Sequence, residues 1–127
     1  MSKNPLLFVG TYGHVHGVNQ DTGAIEWETP IKIGRHHLVA HQNYVYVAVE
    51  GGQLYIMNAK NGEIFKQSSF QGEGQMPSLL ITEDCIYITA GGELTCFDLL
   101  GEKIWENTFK GKGNGPMSLS TFTKDRQ

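Results

Sequence analysis

The feature that most constrains the fold of this chain is a repeat with a period of 39 residues. A glycine recurs at this spacing, at Gly23, Gly62 and Gly101. Trp27 and Trp105 each follow their glycine by four residues. Self-similarity at a fixed period is typical of repeat architectures, in which a unit buries its apolar face only by stacking on a neighbour. The period predicts a single domain over residues 1–127, made of three units at about residues 6–43, 44–84 and 85–123.

Each unit has the pattern of four short β-strands, and no stretch shows sustained helical periodicity. Runs rich in aromatic and β-branched residues end at glycine turns, as short buried strands do. A later turn in each unit opens with Asn or Asp, which bonds its own backbone, and a glycine supplies positive φ. The fold class is therefore all-β, with predicted strands at residues 6–11, 14–19, 24–29, 38–41, 44–49, 53–58, 63–70, 78–82, 86–89, 93–98, 103–109 and 118–123.

Composition and charge exclude several partners. The chain is 39% hydrophobic, but no apolar run approaches the roughly 18 residues of a membrane span, and residues 6–10 are too short for a secretory signal. The net charge of -3, with lysines and acidic residues interspersed, lacks the basic patch that nucleic-acid phosphates select. We expect a cytoplasmic protein with neither nucleic acid nor membrane as a partner.

The repeat resembles the blade of the PQQ-like, quinoprotein dehydrogenase-type β-propeller family. That blade has a strand, a Gly turn, a strand ending in an Asp-like residue, a Thr-Gly turn, and a Trp four residues after the Gly. Asp21-Thr22-Gly23 followed by Trp27 matches it best. The middle unit departs, with Lys66 at the Trp position. The matching segments are VGTYGHVHGVNQDTGAIEW, VYVAVEGGQLYIMNAKNGEIFK and ITAGGELTCFDLLGEKIW.

The resemblance also implies structural roles for the repeated residues. Trp27 and Trp105 are expected to pack across their own blade and dock on the next one, and the junction beside Lys66 is expected to be weaker. Gly23, Gly62 and Gly101 are the matching turn positions. The adjacent cysteine pair that quinone-binding members carry is absent, so the resemblance implies the scaffold without the quinone and no cofactor.

Three blades pose a closure problem, because propellers close with roughly 4 to 8 blades. An open half-ring leaves two bare sheet faces of about 300 Å² each. Two copies related by a twofold axis hide about 1,200 Å² in all, the lower edge of a standard interface. We therefore expect a homodimer that forms one six-bladed propeller; the alternative is that the chain is a fragment of a longer propeller. Residues 118–123, which begin with Ser118 and end with Thr123, would complete the partner's first blade by strand exchange.

A β-trefoil is the alternative architecture. It also has three units of about 40 residues and twelve strands, closes as a monomer, and is found in lectin-like carbohydrate binders. The Gly-Gly hairpins and the Asn/Asp-x-x-x-Gly-x-x-x-Trp spacing favour blade turns, and the trefoil's Gln-x-Trp signature is absent. Oligomeric state separates the two.

The five histidines are the only unusual cluster of chemistry-bearing residues. His14 and His16 share one face of a predicted strand, a spacing that can offer two imidazoles to one metal. No third ligand falls at a predictable spacing, so we predict no metal site. No combination of Ser, His and an acidic residue has a recognisable nucleophile setting, so we predict no catalytic residues. The other interpretation is a metal-dependent enzyme, such as a lyase, that uses these histidines.

The two cysteines are predicted to be free thiols. Counting the hairpin about Gly91-Gly92 places Tyr87, not Cys85, opposite Cys96, so a disulfide requires a register slip. Free thiols fit a reducing compartment.

In a propeller, the first hairpin turn of each unit and the links between units gather on one face around the axis, where members of the family usually bind. Mixed charge with His and Tyr suits a polar small molecule, a peptide or a protein. The leading functional hypothesis is therefore a non-catalytic binding or scaffold module. Its predicted rim consists of Tyr12, His14, Arg35, His36, His37, Glu50, Glu73, Gln75, Glu93 and Lys112.

Overall fold

A computed structural model describes residues 6–72, 76–112 and 117–121. These residues form three separate antiparallel sheets in which strands consecutive in sequence are neighbours. Sheet 1 contains β1 (Leu6–Thr11), β2 (His14–Asn19) and β3 (Ile25–Pro30). Sheet 2 contains β4 (His36–His41), β5 (Tyr44–Val49), β6 (Gln53–Asn58) and β7 (Ile64–Ser69). Sheet 3 contains β8 (Ser78–Ile81), β9 (Cys85–Ala90), β10 (Glu93–Asp98) and β11 (Lys103–Asn107).

The first eleven predicted strands are confirmed, with small shifts at their ends. The largest shift at a start is at β4, which begins at His36 and not at residue 38. The predicted strand 103–109 ends early, at Asn107. Its side chain accepts a hydrogen bond from the N–H of Phe109 at 2.8 Å, and Phe109 has φ 48°. An Asx turn of this kind ends the strand.

The twelfth predicted strand, residues 118–123, is not found in the described part of the chain. Residues 118–121 belong to no strand, and residues 122 and 123 lie outside the described part of the chain. Sheet 3 already has its four strands, while sheet 1 has three and β1 forms its edge. The terminal segment therefore has no place in the sheet that precedes it.

The predicted turn chemistry is confirmed in all three units. Asn19 Oδ1 accepts the N–H groups of Asp21 and Thr22 at 2.8 and 3.1 Å. Asn58 and Asp98 accept the N–H two residues on in the same way, at 2.8 and 2.9 Å. The glycine that follows has φ near 80–90° in each turn, a conformation that a side chain disfavours.

The sheets stack face to face through two apolar clusters. Between sheets 1 and 2, Val15 packs with Val45, Val47 and Val49. Between sheets 2 and 3, residues of β5 and β6 pack against Leu79, Ile86, Ile88 and Phe97. Stacked sheets of consecutive antiparallel strands are propeller blades, whereas the units of a trefoil share one barrel. The trefoil alternative is wrong.

The described part of the chain contains no helix that could cross a membrane.

Candidate binding face and sheet junctions

Because consecutive strands are antiparallel, the links between sheets lie at one end of the sheets and the Asn/Asp-Gly turns lie at the opposite end. The turns within β1–β2, β5–β6 and β9–β10 lie at the same end as the links between sheets. We call this end the loop face; its described residues are 12–13, 31–35, 50–52, 70–72, 76–77, 91–92 and 108–112. The Asn/Asp-Gly turns lie at the other end, together with the β4–β5 and β8–β9 turns, and we call this end the turn face; its residues are 20–24, 42–43, 59–63, 82–84 and 99–102.

Arg35 and Glu50 form a paired contact on the loop face. Arg35 Nη2 donates to Glu50 Oε2 at 3.0 Å, and the Arg35 backbone N–H donates to Oε1 at 2.6 Å. The Glu50 N–H returns a bond to the Arg35 carbonyl at 2.8 Å. The side-chain hydrogen bonds from Arg35, followed by that from its backbone N–H, lower the pKa of Glu50. The link between sheets 1 and 2 is thus fixed to the β5–β6 turn of sheet 2.

Tyr12 and Lys32 stand beside this pair. The Gly34 N–H donates to the Tyr12 carbonyl at 3.1 Å, and the Tyr12 side chain is 66% exposed. The Lys32 N–H donates to the Tyr55 hydroxyl at 2.9 Å, and its ammonium charge also lowers the pKa of Glu50. Lys32 was not among the predicted rim residues, although its position in the link before Arg35 could have indicated it. The four side chains form one polar, mixed-charge cluster.

His36 and His37 belong to strand β4 and not to the link. His36 lies against Gly10 of sheet 1, where a Cβ would meet its ring, with Cδ2 at 2.7 Å. His37 is half-buried, and its Nδ1 accepts the backbone N–H of Leu79 in sheet 3 at 2.9 Å. Both histidines therefore lie at contacts between sheets.

The environment of His37 makes a pH dependence testable. Burial lowers the pKa of His37 below its ordinary value of 6.5, and the charge of neighbouring His36 lowers it further. The unfolded chain therefore binds a proton more readily than the folded one, and a protonated Nδ1 loses its role as acceptor for Leu79. We expect the free energy of unfolding to fall as the pH drops from about 6.5.

The control for this effect is His37→Asn, whose amide oxygen can accept the N–H without titrating. Urea unfolding of both proteins between pH 5 and 8 is expected to show a wild-type advantage that shrinks toward acid. Parallel pH profiles for the two proteins would contradict it.

His14 and His16 share a face of β2, with ring centroids 5.9 Å apart. His14 is exposed, whereas His16 is 8% exposed. The Nε2 of His16 lies 2.9 Å from the Thr11 hydroxyl, and Nδ1 lies 3.0 Å from Glu28 Oε2 without hydrogen-bond geometry. Among residues 6–72, 76–112 and 117–121, no three His, Cys, Asp or Glu side chains group around a possible metal position.

Two of the remaining predicted rim residues, Glu93 and Lys112, belong to sheet 3 and to the link after it. Glu93 begins β10 at the loop face of sheet 3. The Lys112 N–H donates to the Phe109 carbonyl at 3.0 Å in the link after β11. Glu73 and Gln75 lie outside the described residues.

The register of sheet 3 confirms the prediction for the cysteines. Cys96 is paired with Tyr87, and Cys85 is paired with Asp98. Both cysteines are free thiols. Burial raises the pKa of the Cys96 thiol to about 11, so it is protonated and unreactive near neutral pH.

Trp27 docks on the neighbouring sheet at the turn face. Its Nε1 donates to the Ala59 carbonyl at 3.1 Å, and its ring covers Gly62, where a Cβ would lie 2.7 Å from Cδ2. The Thr29 hydroxyl donates to the Gly62 carbonyl at 2.6 Å. The junction between sheets 1 and 2 is therefore closed by one aromatic side chain and one hydroxyl.

Lys66 takes the same place at the junction between sheets 2 and 3. A Cβ on Gly101 would lie 2.8 Å from its Cγ, and its ammonium group pairs with Glu102. The Ser68 hydroxyl donates to the Gly101 carbonyl at 2.6 Å. The lysine stem and an ion pair replace the missing tryptophan.

Trp105 packs on Tyr87 of its own sheet, with ring centroids 6.2 Å apart, and is 44% exposed. No further sheet follows sheet 3 in the described part of the chain.

Comparisons with known proteins agree with this architecture. The family model described as outer membrane protein assembly factor BamB matches residues 11–123. The crystal structure of BamB from Moraxella catarrhalis is similar with a TM-score of 0.66 at 22% identity, over 84% of this chain and 34% of that chain. Comparison with curated proteins finds no match.

Two designed proteins have similar folds. The computationally designed Ika8 protein matches with a TM-score of 0.70 at 17% identity, over 85% of this chain and 35% of that chain. The computationally designed Ika4 protein matches with a TM-score of 0.69 at 17% identity, over 89% of this chain and 69% of that chain. The chain thus spans about a third of the length of BamB and Ika8. It belongs to the BamB-like family of PQQ-type β-propeller repeats.

Proposed function

We propose that this chain is a non-catalytic scaffold of the propeller type, that a second copy completes its ring, and that its loop face binds a polar ligand, a peptide or a protein. The observation that carries the proposal is the incomplete first sheet. In the described part of the chain, sheets 2 and 3 begin with β4 and β8, whereas sheet 1 begins with β1 and no described strand takes the corresponding position beside it. Residues 118–121 belong to no strand, so a second copy can supply what sheet 1 lacks.

The loop face supports a role in binding because it concentrates fixed charge. Arg35 and Glu50 are held by several hydrogen bonds, and the exposed ring of Tyr12 stands beside them. A preformed cluster of both charges next to an aromatic ring suits peptide backbone and polar side chains, since little ordering is required on binding. BamB, whose structure is similar, is named an outer membrane protein assembly factor, which supports a protein or peptide as the partner.

A phage-displayed library of random peptides tests the loop face. We expect enriched peptides to bind the wild-type chain and to lose at least tenfold in affinity for Arg35→Ala/Glu50→Ala. The matched control is Lys60→Ala/Glu63→Ala, which removes the same charges from the turn face of the same sheet. Circular dichroism checks that both variants fold. Peptides that bind the loop-face variant as well as wild type, or that depend on the control pair, would contradict the assignment.

A further inference from the structure

The two internal junctions are built from the same parts. Each has a glycine of the turn face on one sheet, and a side chain together with a hydroxyl from the sheet before it. Gly62 receives Trp27 and Thr29, and Gly101 receives Lys66 and Ser68. A bulge lies beside the residue paired with Trp27 and beside the residue paired with Lys66. The two side chains are therefore presented in the same way.

Sheet 3 presents a docking side chain that has no described partner sheet. Trp105 is paired with Cys96 beside the same bulge, and Asn107 follows two residues later, as Thr29 follows Trp27. Among the described residues Trp105 meets no neighbouring sheet, and 44% of its surface is exposed.

Sheet 1 presents a turn-face glycine on which no described side chain docks. Gly23 has φ 80°, as Gly62 has φ 79°, but no atom of the described residues lies within 4 Å of the place where its Cβ would be. The sheet face beside it is bare as well. Leu7 and Val9 are 53% and 37% exposed, whereas Val45 and Val47, at the same places in sheet 2, are fully buried.

We propose that Trp105 of one copy docks on Gly23 of a second copy, so that the junction between chains repeats the junction between sheets 1 and 2. In this arrangement the indole N–H bonds the carbonyl of Gln20, which follows Asn19 as Ala59 follows Asn58. Asn107 then takes the place of Thr29 and donates to the Gly23 carbonyl. The inference deepens the proposed function and rests on its self-association.

A second copy is the occupant that the observations favour. Both unmatched halves lie on one chain, on the first and the last of its described sheets, with sheet 2 between them. The surface that fits Trp105 of sheet 3 is therefore the Gly23 surface of sheet 1 in a second copy of the same chain. Two such junctions bury about 1,200 Å², which is enough for a specific dimer.

The junction between sheets 2 and 3 supplies the design of a test. There Lys66 pairs with Glu102, the residue after Gly101. At the proposed junction the same two places hold Trp105 and Ala24. We expect Trp105→Lys to raise the dimer dissociation constant at least tenfold, and Ala24→Glu to raise it less. The double variant is expected to recover most of the affinity, and its dimer should weaken in 0.5 M salt because an ion pair replaces an apolar contact.

The matched control is Ile104→Lys, which adds the same charge one residue away. Ile104 occupies the bulge position of Phe65, which lies outside the internal junction and is 52% exposed. Sedimentation equilibrium over a dilution series measures the four variants, and circular dichroism checks their fold. Recovery in the double variant supports the docking, since the introduced ammonium and carboxylate groups can then meet only between copies.

Two other results overturn the proposal at different levels. A wild-type dimer that Trp105→Lys leaves unchanged, or a double variant as weak as Trp105→Lys, would reject the Trp105–Gly23 contact and leave the self-association standing. A wild-type chain that remains monomeric at every concentration would reject both the contact and the proposed self-association.

Discussion

A chain that lacks residues 117–127 is expected to be monomeric or aggregated at concentrations where the full chain is dimeric. The deletion removes the segment that we assign to the missing position beside β1, and it leaves that strand with an unpaired edge. A strand of six residues adds roughly five backbone hydrogen bonds, each worth about 0.5–1.5 kcal/mol net. The dissociation constant should therefore rise by about 100-fold or more.

Deletion of residues 124–127 alone is the matched control. It removes the charged tail Lys124–Gln127, which both deletions lack, and keeps the whole segment from Ser118 to Thr123. Molar mass by light scattering separates the outcomes. A long deletion that remains as dimeric as the short one would show that strand exchange plays no part in assembly.

Alanine in place of Trp27 is expected to reduce the free energy of unfolding by about 2–3 kcal/mol. The value lies at or below the range for fully buried tryptophans because Trp27 is only half-buried. The change empties the position over Gly62 and leaves the Ala59 carbonyl without its donor. The two sheets would then be joined mainly by the valine cluster and by the bond from Thr29 to Gly62.

Phe65→Ala provides the comparison for this prediction, since Phe65 is a large aromatic residue that is 52% exposed and lies at the bulge of β7. Its loss should cost about 1 kcal/mol or less. Urea unfolding at one protein concentration measures both variants. If Trp27→Ala and Phe65→Ala reduced the free energy of unfolding equally, the docking of the indole on sheet 2 would contribute no more than an exposed aromatic side chain does.

The strands were predictable because each is specified locally. Aromatic and β-branched runs ended by glycine turns define β5, β6, β9 and β10, and the Asn19, Asn58 and Asp98 side chains fix the turns through bonds to their own backbone. The stacking of separate sheets was implied by the resemblance of the repeat to a propeller blade, which rests on the tryptophan four residues after the glycine and on the turns around it. These signals depend on residues that are close in sequence.

The less predictable features depend on contacts between distant residues. Strand β4 starts at His36 because His36 packs over Gly10 and His37 accepts the N–H of Leu79, neither of which can be recognised from the neighbouring sequence. For the same reason, His36 and His37 were expected in the link before β4, whereas they lie in β4 at contacts between sheets. The filling of the Gly101 position by Lys66 depends on Glu102 being within reach, a pairing that sequence spacing did not indicate.

Absolute molar mass in solution tests the central claim, that these stacked sheets form half of a ring. Light scattering on the full chain at micromolar concentration is expected to return about 28 kDa, twice the 14.1 kDa of one copy. A folded, homogeneous particle of 14.1 kDa across the concentration range would contradict the claim.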